Sequence, residues 1–165
     1  MFPRAGAPPS GILADMNSDA SALKQLSRGE CLRLMASVPV GRIIYTRQAL
    51  PAVELVNFAL DHGDIVIRTD PGGKLAAAAR GAVVAFEADQ LDLAARFGWS
   101  VTAIGPSEEV TEPGEIARLR EIGLGSWAPG AREHFIRISP QLMNGRYLHT
   151  ADWRPPVGLE ACSPA

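Results

Sequence analysis

Two hydrophobic periods alternate along this chain. Ser27-Arg-Gly-Glu30 is a capping box, in which side chains satisfy the orphan amides of a helix start. Leu32, Leu34 and Met35 supply an apolar face behind it, so the pattern predicts a helix that Val38-Pro39 stops. From Gly41 the period falls to two. Residues 41–46 (GRIIYT) are rich in β-formers. Ala52 to Leu60 alternates, with Val53, Leu55, Asn57 and Ala59 on one face and Glu54, Val56, Phe58 and Leu60 on the other. Asp61-His-Gly-Asp64 has turn chemistry and Ile65 to Thr69 returns, which predicts a hairpin. A short alanine-rich helix is expected over 75–80, ended by Gly81, and then a strand over 82–87. A loop reaches Gly98. Trp99 to Ile104 reads as a strand broken by Gly105-Pro106, with pairing resumed near 108–111. Thr111-Glu-Pro-Gly-Glu115 opens a helix through Ile122, Trp127-Ala-Pro-Gly130 is a turn, and strands follow at 134–138 and about 143–149.

Five to seven short strands with three peripheral helices predict a mainly β (α+β) domain, a small antiparallel barrel. Residues 1–20, with Pro3, Pro8, Pro9, Gly6 and Gly11, lack periodicity and read as a disordered tail. Residues 151–165 read as a mobile C-terminal tail, which leaves one domain over 21–150. A chain of 165 residues with 47% hydrophobic and 21% charged positions has enough apolar content to bury such a core. A net charge of -2 argues against a nucleic-acid partner. Cys31 and Cys162 lie far apart and form neither a disulfide framework nor a CxxC site, which suits a reducing compartment. The start has no signal-peptide pattern, and no stretch approaches the ~20 apolar residues of a membrane helix. The expectation is a soluble, cytoplasmic protein with no membrane partner.

Candidate chemistry narrows quickly. His62, His134 and His149 have no metal-ligand spacing and are expected to be surface or structural. No GxSxG nucleophile elbow exists. Gly123-Leu-Gly125-Ser-Trp-Ala128 matches the letters GxGxxA, but it follows a helix rather than a strand, so a helix end and turn is the expected role. The informative stretch is Arg68-Thr69-Asp-Pro-Gly72-Gly73-Lys74. A strand delivers a guanidinium and a hydroxyl into a glycine turn, and a lysine opens the next helix. That is an anion cradle suited to phosphate. Lys74 is one of only two lysines among 16 Lys and Arg residues, which points to a placed charge. A solvated strand-to-helix turn explains the same letters, and both readings stand at this point.

The order of segments over 27–148 resembles the pyridoxamine 5′-phosphate oxidase-like family of flavin-binding split barrels. The residues that carry the likeness are Val40-Gly-Arg-Ile-Ile-Tyr45, Pro51 with Val56-Asn57-Phe58, Arg68-Thr69 with Gly73-Lys74, Val84-Ala-Phe-Glu-Ala-Asp89, Gly98-Trp-Ser-Val101 with Gly105, and Trp127 with Gly145-Arg146. The resemblance implies a split β-barrel that binds FMN, forms a homodimer and acts as an oxidoreductase on a small-molecule substrate by hydride transfer through flavin N5. It implies that Arg68, Thr69, Gly73 and Lys74 hold the phosphate and that Val56 and Asn57 line the ring. It further implies that Trp99 and Ser100 close over the cofactor, and that Trp127 and Arg146 approach from the partner subunit. For Trp99 and Trp127 packing is the competing role, and for Arg146 an ion pair. Three positions depart from the family pattern: Leu55 stands where proline is common, Gly73 where serine is, and Ile104 where arginine is. The lost hydroxyl at Gly73 leaves FMN against a related cofactor open, with F420 as the alternative. A non-catalytic flavin- or haem-binding module is the reading from another class. No acid–base dyad is expected, because a flavin needs chiefly binding, orientation and local electrostatics from its protein.

Overall fold

Alternation gives each strand one face to bury, and seven antiparallel strands bury theirs against one another. The computed structural model describes residues 25–69, 81–124 and 134–149. In chain order these form α1 (Arg28–Met35), β1 (Val40–Arg47), β2 (Leu50–Asp61), β3 (Asp64–Thr69), β4 (Val83–Asp92), β5 (Phe97–Val110), α2 (Pro113–Glu121), β6 (His134–Ile138) and β7 (Leu142–His149). Hydrogen bonding runs β4-β1-β2-β3-β6-β5, and β5 pairs back with β4. Six strands thus close a barrel, and β7 is an additional strand on β5. The fold is mainly antiparallel β, a split barrel with two helices among the described residues.

Two long strands join its halves. β2 pairs with β1 over Leu50 to Asn57, then with β3 over Phe58 to Asp61. β5 pairs with β4 over Phe97 to Pro106, with β7 over Phe97 to Ile104, and with β6 over Ser107 to Val110. A large sheet (β2-β1-β4-β5-β7) and a small one (β2-β3-β6-β5) therefore share β2 and β5. The expected break at Gly105-Pro106 is a changeover inside one continuous strand. A Cβ on Gly105 would lie 2.0 Å from the Ser139 carbonyl oxygen, so only glycine lets β5 pass from β7 to β6. The expected loop before Gly98 is also largely strand. β4 extends to Asp92, which pairs with Phe97 across a tight turn.

Local signals hold where they are short-range. Ser27 caps α1: its hydroxyl accepts from the Glu30 amide at 3.3 Å, and the Glu30 carboxylate accepts from the Ser27 amide at 2.8 Å. Cys31 and Met35 carry α1 into the barrel core with Phe58, Phe86 and Trp99. In the β2–β3 hairpin His62 and Gly63 take positive φ of 52° and 92°, the twist a two-residue turn requires. The helix predicted from Thr111 starts one residue late, with Glu112 as its cap and Pro113 at its first position. Its carboxylate accepts from the amides of Gly114 and Glu115 at 2.9 and 2.6 Å, which holds its pKa below the usual carboxylate range. α2 packs on the outside of the small sheet, where Leu119 and Ile116 meet Val66, Val110 and Phe135. An ionic clamp reinforces it: Arg118 binds Asp61 through two hydrogen bonds of 2.8 and 2.7 Å, and Arg137 reaches Glu115 and, at 3.5 Å, Asp61. Among the described residues no helix is long and apolar enough to cross a membrane. The expected helix over 75–80, the turn at 127–130 and the tails 1–20 and 151–165 lie outside the described residues.

Candidate functional site

The outer face of the large sheet carries the exposed chemistry, and its register sorts that chemistry into rows. Residues directly opposed on neighbouring strands share a face. One row is apolar throughout: Val53, Ile44, Ala85, Ile104 and Leu142 oppose one another across five strands. Val53 and Leu142 are each 61% exposed, and Leu55 and Val83 beside them are 65% and 67% exposed. The next row runs Leu55, Arg42, Glu87, Thr102, Asn144. Beyond it Asn57 opposes Val40 at one end, and Asp89, Ser100 and Arg146 oppose one another at the other. Arg42 donates to Glu87 and Asp89, each at 2.7 Å, and the two carboxylates hold its guanidinium firmly charged.

The sequence-derived candidates fall into two groups on this scaffold. Asn57 and Arg68 follow the last β2–β3 pair, Phe58 with Ile67, and point to the outer side where the strands part. The Asn57 amide donates to the Pro39 carbonyl at 3.3 Å. The Arg68 guanidinium lies 5.9 Å from the centre of the Phe135 ring. Thr69 is buried, opposite His134, whose Nδ1 is 3.0 Å from a Glu109 oxygen. The second group is Ser100 with Arg146, directly opposed on β5 and β7. Three interstrand steps separate Asn57 from Ser100 and four separate it from Arg146, roughly 14 and 19 Å along the sheet. One protomer does not bring the two groups together.

Two candidates turn their side chains into the barrel. The Trp99 side chain is in the barrel core at 4% exposure, and Val56 packs inward against the same core. Gly73, Lys74 and Trp127 lie outside the described residues. Sequence reasoning passed over Gln25, Thr102 and Asn144, which join Ser100 and Arg146 around a cleft of about 270 Å³. The polar alternation Ser100, Thr102 and Asn144, Arg146 was a signal for them, but their meeting depends on a register no local pattern fixes. Among the described residues no group of three His, Cys, Asp or Glu side chains could hold a metal ion.

Comparison with known proteins adds a family context. The profile of the family described as pyridoxamine 5′-phosphate oxidase matches residues 27–147. An uncharacterized protein of Mycobacterium tuberculosis is 39% identical over 142 residues, covering 83% of this chain and 92% of its own. The solved structure of the FAD-binding protein from Mycobacterium smegmatis is similar at 30% identity and TM-score 0.66, over 77% of this chain and 99% of that one. A candidate pyridoxamine 5′-phosphate oxidase from Corynebacterium glutamicum is similar at 30% identity and TM-score 0.67, over 77% and 94%.

Proposed function

The chain belongs to the pyridoxamine 5′-phosphate oxidase family, and we propose that it binds a flavin nucleotide, with FMN as the simplest form, and serves as an oxidoreductase on a small molecule. The observation that carries this reading is the outer sheet face, where an exposed apolar strip for a flat ring lies beside cations and neutral donors for a phosphorylated chain. A similar protein from Mycobacterium smegmatis that binds FAD supports the same class of ligand. The donor set fits such a group, because Arg68 and Arg146 offer permanent charge, and Ser100, Thr102 and Asn57 offer neutral hydrogen bonds. Arg68, Thr69 and, from the segment that follows in sequence, Gly73 and Lys74 would hold the phosphate. Asn57 would orient the ring edge beside the apolar strip. A bound flavin supplies hydride transfer at its N5.

The second half of the site comes from a second copy. Ser100 and Arg146 lie too far along the sheet from Asn57 and Arg68 to serve one cofactor within a protomer. Two copies stacked through the apolar row, related by a two-fold axis, would set one protomer's Ser100–Arg146 end over the other's Asn57–Arg68 end. The same contact excludes water from the ring.

The test is a comparison of ligands. Arg68→Ala and Lys74→Ala should each weaken FMN by about 10–150-fold, the loss of one charge-assisted contact, and leave riboflavin nearly unaffected. Equal and small effects on both ligands would mean that the phosphate is held elsewhere.

A further inference from the structure

We propose that the cleft on the outer face of β5 and β7 binds a small oxyanion, a carboxylate or phosphate group, through Arg146 with Ser100, Thr102, Asn144 and Gln25. Four of these side chains form a two-by-two block: Ser100 opposes Arg146, and Thr102 opposes Asn144. Directly opposed pairs hold their Cβ atoms about 5 Å apart, so the four polar ends converge on one ligand group. Gln25 completes the rim through its bridge to Arg146 at the edge of β7.

The chemistry of the lining selects the ligand. It consists of a guanidinium, two carboxamides and two hydroxyls, with no carboxylate. None of these five side chains has a hydrogen-bond or ion-pair partner among the described residues. Their charged neighbours are engaged: Glu87 and Asp89, on the next strand, both bind Arg42. Glu87 and Asp89 with Arg42 leave one net negative charge on the neighbouring strands, but the lining itself holds only the Arg146 charge, with no carboxylate paired to it, among groups that can donate, the arrangement a planar carboxylate or a phosphate satisfies in a fork. At about 270 Å³ it lies just below the usual range for small-molecule pockets, which suits one acidic group with a short stem.

The block is also rigid. Gly145, between Asn144 and Arg146, faces inward onto α1, where a Cβ would lie 2.5 Å from the Cys31 sulfur. The Leu26 amide donates to the Gly145 carbonyl at 2.9 Å, which fixes the segment that carries Gln25. Donors held on paired strands lose little entropy when the anion arrives. The cleft shares Ser100 and Arg146 with the proposed flavin site, so a cofactor phosphate as its anion rests on that reading, whereas a separate anionic ligand does not.

The experiment uses the full chain and follows backbone amide shifts of residues 100–102 and 144–146 during titration with inorganic phosphate or acetate. Chloride keeps ionic strength constant. Saturable shifts are expected with at least one anion. Arg146→Gln should weaken that binding about tenfold, Arg146→Lys should recover part of it, and both should melt as the parent does. FMN and riboflavin binding to Arg146→Gln then names the source: selective loss of FMN assigns the cleft to the cofactor phosphate, and no change in either assigns it to a separate anionic ligand. Shifts absent with both anions, or undiminished in Arg146→Gln, would overturn the proposal.

Discussion

Gly145 shows how one missing side chain sets the geometry of a site. Its inward face touches Cys31 and Leu26, while Asn144 and Arg146 on either side point outward into the cleft. Gly145→Ala should destabilise the fold by about 1–3 kcal/mol, because the added methyl overfills a packed contact. In a Cys31→Ala background most of that cost should disappear. Denaturant unfolding of the four proteins measures the coupling, and equal costs in both backgrounds would refute the contact. The letters Gly145-Arg146 were noticeable in the sequence, but the reason for the glycine was not, since Cys31 lies on a distant helix. Trp99 was more legible than the resemblance suggested. Trp99, Val101 and Ala103 alternate with Ser100 and Thr102, and that parity already puts the indole inside the barrel and the hydroxyls outside.

At the scale of elements, the α2 clamp gives a pH dependence of known sign. Hydrogen bonds from Arg118 hold the Asp61 carboxyl below its ordinary value, with His62 and Arg137 adding to the effect and burial opposing it. A folded pKa below the unfolded one means that this stabilisation is complete above the unfolded value of about 4 and lost as pH falls through the folded value. Asp61→Asn should therefore cost about 1–3 kcal/mol at pH 7, where it leaves Arg137 and Arg118 short of a partner. The gap between parent and variant should close as the parent's carboxyl protonates. Melting curves from pH 7 to pH 3 test this, and a constant gap would contradict it. Capping boxes and the Asp61–Asp64 turn were readable because their partners lie within a few residues. The Arg118–Asp61 contact joins residues 57 apart, and the long β5 was hidden by Gly105-Pro106, whose bend becomes intelligible only beside Ser139. Ser27→Ala removes the hydroxyl's bonds to Glu30 in a strictly local device, leaves the backbone bond to its carboxylate, and should cost about 1 kcal/mol in denaturant unfolding.

For the whole molecule, the apolar row on the large sheet is the feature that most needs a partner. Val53, Leu55, Val83 and Leu142 are more exposed than a monomer's packing explains, and they form one contiguous strip. A homodimer through this face is expected. Replacing Val53 and Leu142 together by Asp should give a folded monomer in sedimentation experiments, with flavin affinity reduced because each site loses its second half. A parent chain that sediments as a monomer with flavin bound would contradict the arrangement. The alternation in β2 marked Val53 and Leu55 as sharing a face, but barrel closure, and with it the side that faces water, rests on pairings that no single segment specifies.

Flavin uptake by the unmodified protein tests the central claim most directly. The purified chain, stripped of small molecules and titrated with FMN and then FAD, should quench flavin fluorescence and shift the visible flavin bands, saturating at one flavin per protomer. A protein whose addition leaves the spectra of both flavins unchanged at micromolar concentrations would contradict the account.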